Sequence, residues 1–156
     1  MKTRLYATLV GLIVLGVVFL PCREVQATLG GSVDSVGSDR EALSAVKRAA
    51  QVYNGYTVVE IVSPANTVRE YISPAGIVFG IAWNGLSHPD LKQLLGCYSG
   101  EYEKTLQQTP RKHGIRRIQI KTDRTVVEKW GHMRNLKGRA YVPDLIPSGV
   151  NIDEIK

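Results

Sequence analysis

The sequence predicts an α+β domain: an antiparallel sheet of about five to six strands with two helices, in the order α-β-β-β-α-β-β, with an optional last strand. Three observations carry this expectation. Tyr56–Val62, Thr67–Ile72 and Ile77–Trp83 are short β-rich segments separated by tight-turn signals. A second pair, Ile115–Lys121 and Thr125–Trp130, flanks Thr122-Asp123-Arg124. Two further stretches, Ser38–Tyr53 and Ser87–Gln108, repeat apolar residues at helical spacing. Strands joined by sequential hairpins, with helices laid on them, make an antiparallel α+β sheet.

The chain opens on a leader. Lys2 and Arg4 precede an uncharged run of 16 residues, Leu5–Leu20, and Val25-Gln26-Ala27 supplies a signal-peptidase-like end. The run is shorter than the roughly 18–20 apolar residues that a spanning helix needs. Residues 1–27 therefore read as a signal peptide cleaved near Ala27. The mature protein is then exported, periplasmic or secreted, with no transmembrane segment left after cleavage. Lipid anchoring at Cys22 is the lesser alternative, because Pro21 occupies a position where a small residue is usual. Cleavage leaves 129 residues, enough for one packed domain. It also leaves a single cysteine, Cys97, so no internal disulfide is expected.

Residues 28–37 are rich in Gly and Ser and read as a flexible segment; 38–147 form the domain and 148–156 a C-terminal tail. Ser38 with Glu41 makes a capping box for the first helix, with an apolar stripe of Ala42, Leu43, Val46, Ala49, Ala50 and Tyr53, stopped by Asn54-Gly55. The strand meander follows, with a type I turn at Ser73-Pro74-Ala75-Gly76. Ile77–Trp83 is apolar throughout, as suits a strand covered on both faces. Ser87 or His88 caps the second helix, with Pro89 in its first turn. Gly96 and Gly100 inside it require either a close neighbouring backbone or a break. Arg139–Val142 adds a short last strand, and Pro143 and Pro147 argue against regular structure beyond it.

Charge is the strongest surface signal. Residues 111–139 hold ten Lys and Arg against Asp123 and Glu128, a net of +8, while 28–110 and 140–156 each come to −2. Such a segment attracts anionic groups through its summed field. Arg111, Lys112, Arg116, Arg117, Arg134, Lys137 and Arg139 are the candidate electrostatic contacts, with Trp130 and Tyr141 as apolar anchors. The partners expected are an anionic glycan, a lipid headgroup or an acidic envelope protein; the exported address argues against nucleic acid. The bland reading is a solvated strand face that aids solubility.

No catalytic residue, metal site or cofactor is expected. The sequence has no phosphate-binding Gly loop, no G-x-S-x-G elbow and no H-E-x-x-H. His88, His113 and His132 are scattered, and Glu60 and Glu70 read as outward-facing strand residues. Cys97 falls mid-helix and reads as a small buried side chain. A competing class is a small exported hydrolase or thiol enzyme using Cys97 with His88 or His132. A third is a structural subunit dimerising through Cys97 or an exposed strand.

The leader, TLGG at 28–31, TVREYISPAGIVFGIAWNGLSHPDL at 67–91, SGEY at 99–102 and VEKWGHMRNLKGRAYVP at 127–143 together resemble an uncharacterised family of bacterial secreted proteins, a domain of unknown function covering the whole mature chain. That resemblance implies bacterial origin and export, and carries no activity, cofactor or site residue.

Overall fold

The computed structural model describes residues 29–32, 46–110, 114 and 116–156. The leader, Cys22, the Ser38–Glu41 capping box, Arg111 and Lys112 lie outside the described residues.

Seven strands form one antiparallel sheet: β1 (Val46–Tyr53), β2 (Tyr56–Val62), β3 (Asn66–Ile72), β4 (Val78–Gly85), β5 (Ile118–Lys121), β6 (Val126–His132) and β7 (Asn135–Tyr141). Their spatial order is β1-β2-β3-β4-β7-β6-β5. Between β4 and β5 the chain leaves the sheet as one helical stretch, α1 (Leu91–Leu95), a 3₁₀ turn (Gly96–Tyr98) and α2 (Ser99–Gln108). The protein is mostly β, which corrects the expectation of five to six strands and two helices. The last strand, expected as Arg139–Val142, is a full seven-residue strand paired along its length with β4 and β6.

The largest correction is β1. Val46–Tyr53, expected in a helix, is an edge strand paired with β2 through the two-residue turn Asn54-Gly55. Its register shifts between Lys47 and Ala50. The bulge breaks the two-residue alternation there, so apolar residues fall at spacings that imitate a helix. Asn-Gly before an alternating segment is a hairpin signal, and here it acts as one.

The helical stretch breaks at Gly96, whose φ of 50° and ψ of −119° end α1. Asp90 caps α1 by accepting from Lys92 N at 2.9 Å, so Ser87 and His88 are not the cap. Leu94, Leu95 and Tyr102 turn inward against the sheet, and Leu91 and Tyr98 pack beside them. Cys97 is exposed in the 3₁₀ turn, not buried as expected.

The sheet thus has a helix face and a tail face. Val59, Ile61, Val68, Ile81, Val127 and Ile120 meet the helix on one side. Tyr56, Tyr71, Phe79, Tyr141 and Ile155 form the second cluster, with Leu145, Ile146, Val150 and Ile152 of the C-terminal segment packed on it. Val150, Ile152 and Ile155 of the C-terminal segment pack on the sheet, with Ile155 fully buried. The N-terminal Leu29–Ser32 is also docked, where a flexible segment was expected. Leu29 N donates to Leu94 O at 3.1 Å, and Gly30 N to Val78 O at 2.7 Å.

Two features of β4 and β7 shape the faces of the sheet. Tyr71 pairs with Gly80 and Ile72 with Val78, so Phe79 is an extra residue, a bulge. Phe79 joins the tail-face cluster, while Gly80 admits Ile155, which any Cβ at Gly80 would meet. On the helix face, Gly138 lies directly under the Trp83 indole, and a side chain there would collide with the ring.

Candidate functional site

Strand alternation places every second residue of β2, β3, β4, β7, β6 and β5 on the tail face. One cross-strand row reads Glu60, Arg69, Ala82, Arg139, Glu128, Gln119. Opposite charges stand beside each other at both ends, with small Ala82 between the two arginines. Arg69 Nε donates to Glu60 Oε2 at 3.1 Å and its Nη1 to the Lys156 main-chain oxygen at 3.0 Å. Arg139 Nε donates to Glu128 Oε2 at 2.7 Å, and its Nη1 to the carbonyls of Ile152 (2.9 Å) and Ile155 (3.4 Å). Arg117 Nη2 and Gln119 Nε2 both donate to Glu128 Oε1, at 3.2 and 2.7 Å. Two arginines flanking Ala82 therefore clamp the tail across the sheet. Tyr71 joins them: its hydroxyl accepts from Lys156 N and donates to Lys156 O, each at 3.0 Å.

Burial alone would raise the Glu128 carboxyl, but the Arg139 hydrogen bond and charge, with Arg117, outweigh it and hold the group below the ordinary carboxylate range. Burial first, then the Glu154 carboxylate that accepts its proton at 2.7 Å, push the Tyr56 phenol up to about 12.

Beside that row, Trp130 of β6 stands opposite Lys137 of β7, and Lys137 opposite Asn84 of β4. The Arg117 guanidinium lies 6.0 Å from the Trp130 ring centre. A hollow of about 240 Å³ opens here, lined by Arg69, Trp130, Lys137 and Lys156 with Trp83, Asn84 and Gly138. No Asp or Glu side chain lines it. A larger hollow of about 750 Å³ adjoins it, lined by Tyr53, Tyr56, Tyr71, Glu60, Arg69 and Lys156 among others.

The described residues of the basic segment do not make one surface. Lys137 is exposed beside Trp130, and neither it nor the exposed Arg116 has an ion-pair partner among the described residues. Arg117 is on the tail face but paired. Arg134 sits exposed at the β6–β7 tip in the left-handed region, φ 65°. Arg139, expected as a surface contact, is spent on Glu128 and the tail. Tyr141, expected as an anchor, is buried in the tail-face cluster. Arg124 and Lys129 turn to the helix side, Arg124 bonded to Glu101 at 3.0 Å and Lys129 to the Tyr102 hydroxyl at 2.8 Å.

Arg69 and Lys156 are the site residues that sequence reading missed. The one available signal was alternation in β3, which puts Thr67, Arg69 and Tyr71 on a common face. Nothing in the sequence tied Lys156 to them.

The helix face holds a second polar group. Trp83 Nε1 donates to His88 Nδ1 at 3.0 Å, so the neutral imidazole carries its proton on Nε2. Burial first, then the Lys129 charge, lower the His88 pKa. A histidine depressed in the fold contributes stability that is complete above its unfolded pKa, about 6.5. That stability is lost as pH falls through the folded value. Unfolding free energy is therefore expected to decline as pH drops below about 6.5. His88→Gln, which keeps an acceptor for Trp83, should flatten that part of the profile in urea titrations at stepped pH; an unchanged slope refutes the assignment. Glu70, expected to face outward, is 1% exposed on this same face, in register with Val59 and Ile81. Glu60 is on the opposite face, so the two carboxylates do not converge. Cys97 is not among the hydrogen-bonding partners of His88 or His132. Among the described residues, no three His, Cys, Asp or Glu side chains gather where one metal ion could bind them. No helix among them is long and apolar enough to cross a membrane.

Fold and site together define an antiparallel-sheet protein whose tail-covered face carries a cationic, aromatic-lined hollow. The chain belongs to a family described as "Protein of unknown function (DUF2844)", whose model matches residues 25–155. No curated protein and no solved structure matches it.

Proposed function

We propose that this is an exported bacterial envelope protein that acts as a non-enzymatic binding module for an anionic partner, held on the tail face. The export rests on the leader pattern of residues 1–27 and on the resemblance to bacterial secreted proteins. The observation that carries the binding reading is the smaller hollow: Arg69, Lys137 and Lys156 line it together with Trp130, and no Asp or Glu side chain does. Cations gathered in one hollow beside an indole attract an anionic group through their summed field. The hollow gives that group a fixed position, which a solvated charge run does not.

The test is retention of the protein on a carboxylate-bearing anionic matrix over a salt gradient. Binding should weaken steeply with salt as the field is screened. Lys137→Glu, at an exposed side chain with no ion-pair partner among the described residues, should weaken it about tenfold at low salt, since each cation near an anionic surface contributes about 1 kcal/mol. Salt-independent retention, or a Lys137→Glu variant that binds as the parent does, overturns the proposal.

A further inference from the structure

We propose that the anionic partner is a carboxylated oligosaccharide whose ionised sugar sits at Trp130 and Lys137 while a neutral neighbour lies on the exposed ring of Tyr53, which is itself stacked on buried Tyr56. This rests on the binding reading above and names the ligand class of the same face. The first observation is continuity. The two hollows share Arg69 and Lys156, so a ligand occupying both must pass those two residues. The smaller, at about 240 Å³, is below the usual range for small-molecule pockets of about 300–1,000 Å³; the larger, at about 750 Å³, is inside it. One ionised group fills the first and an extended uncharged segment fills the second.

The second observation is the difference in chemistry between the hollows. No Asp or Glu side chain lines the cationic hollow, whereas Glu60 and Glu154 line the larger one beside Arg69 and Lys156. A uniformly anionic polymer or an acidic peptide would bring like charge against Glu154 and would compete with Glu60 for Arg69, which costs affinity. A lipid surface is too flat to enter a concavity. A sugar without charge meets none of these objections. Its hydroxyls can donate to Glu60 and Glu154 and pair with Gln51, and its C–H faces can lie on aromatic rings.

The third observation is that the aromatic platform is already assembled. The Tyr53 and Tyr56 rings stack with centroids 5.1 Å apart and planes 13° from parallel. Tyr53 is exposed, and its hydroxyl donates to Gln51 at 2.8 Å; Tyr56 is fixed by its bond to Glu154 at 2.7 Å. With its phenol pushed up to about 12, Tyr56 stays neutral at any physiological pH and adds no repelling charge. At the junction, Arg69 spends Nε and Nη1 on Glu60 and Lys156, and its Nη2 has no hydrogen-bond partner among the described residues. That nitrogen is a donor set between the two hollows.

The experiment is calorimetric titration of the full protein with two hexasaccharides in which a hexuronate alternates with a neutral sugar, one α-linked and one β-linked. Carboxyl-reduced forms of both, poly-glutamate and anionic phospholipid vesicles serve as comparisons. The expected result is binding of at least one hexasaccharide, lost on carboxyl reduction and stronger than binding of either comparison. Lys137→Glu should weaken hexasaccharide binding about tenfold, as it weakens retention on the anionic matrix. Tyr53→Ala, at an exposed edge position, should weaken the hexasaccharide about tenfold, the scale of one lost aromatic contact. It should weaken retention on the anionic matrix less than it weakens the hexasaccharide. Preference for poly-glutamate or vesicles overturns the glycan assignment and leaves the anion-binding reading standing. A Tyr53→Ala variant that binds the hexasaccharide like the parent also overturns it. Failure to bind any anionic probe overturns both.

Discussion

Replacement of Glu128 by alanine is expected to destabilise the protein by about 3–5 kcal/mol, the cost of stripping one partner from a buried ion pair. The Glu128 side chain is 4% exposed and that of Arg139 13%, so water cannot replace what is removed. Arg139 would keep its charge and lose its closest acceptor, at 2.7 Å. The same guanidinium holds the Ile152 and Ile155 carbonyls, so the variant should also loosen the tail. Glu128→Gln keeps the shape and one acceptor oxygen and should cost less. Chemical denaturation of the three proteins measures the order, and a Glu128→Ala loss under about 1 kcal/mol would contradict the buried-pair account. Acid gives an independent check. The folded Glu128 pKa is depressed, so its stabilisation is present above the unfolded carboxylate pKa, about 4.3. It is lost as pH falls through the folded value. The parent should lose stability there and Glu128→Gln should lose less.

Phe79→Ala is expected to cost about 3–5 kcal/mol through the cavity it leaves. Phe79 is fully buried. Its ring meets Tyr56 edge-on, with centroids 6.2 Å apart and planes at 89°, and Tyr71 at 6.3 Å and 61°. Because Phe79 is the bulged residue of β4, neither cross-strand neighbour can shift into its place without changing the register on both sides. Phe79→Leu should recover much of the loss. Urea unfolding gives the energies, and near-ultraviolet circular dichroism should report altered Tyr56 and Tyr71 packing. A Phe79→Ala cost below about 1.5 kcal/mol would mean the cluster closes over the gap.

Strands whose alternation is unbroken could be read from the sequence. Tyr56–Val62 has the predicted bounds, and β3 and β4 start or end within two residues of expectation. The facing of Arg117 and Gln119 was also legible, because two-residue alternation held as far as Lys121. Where tertiary contacts decide, the pattern misled. In β1 the bulge near Lys47–Ala50 removed the alternation. In β6 and β7 two glycines gave Trp130–Tyr141 the composition of a loop. Both have packing reasons: Gly131 has φ 119° beside the Asn135 backbone, and Gly138 lies beneath Trp83. The site was half legible for a similar reason. Trp130 and Lys137 are near each other in sequence, but Arg69 and Lys156 are 87 residues apart and meet only through the tail clamp.

That clamp also sets an order in time. The hairpins β1–β2, β2–β3, β3–β4, β5–β6 and β6–β7 close over short turns, whereas Tyr56 and Glu154 must find each other across 98 residues. Closure entropy rises with the length of the loop, and chains dominated by distant pairings fold in milliseconds to seconds instead of microseconds. The local hairpins therefore assemble first, and the C-terminal segment docks after β4 and β7 have joined. Until it docks, Phe79, Tyr71 and Tyr141 remain wet. Arg69 and Lys156 come together only in that last step, so the hollow they share comes into being as folding ends.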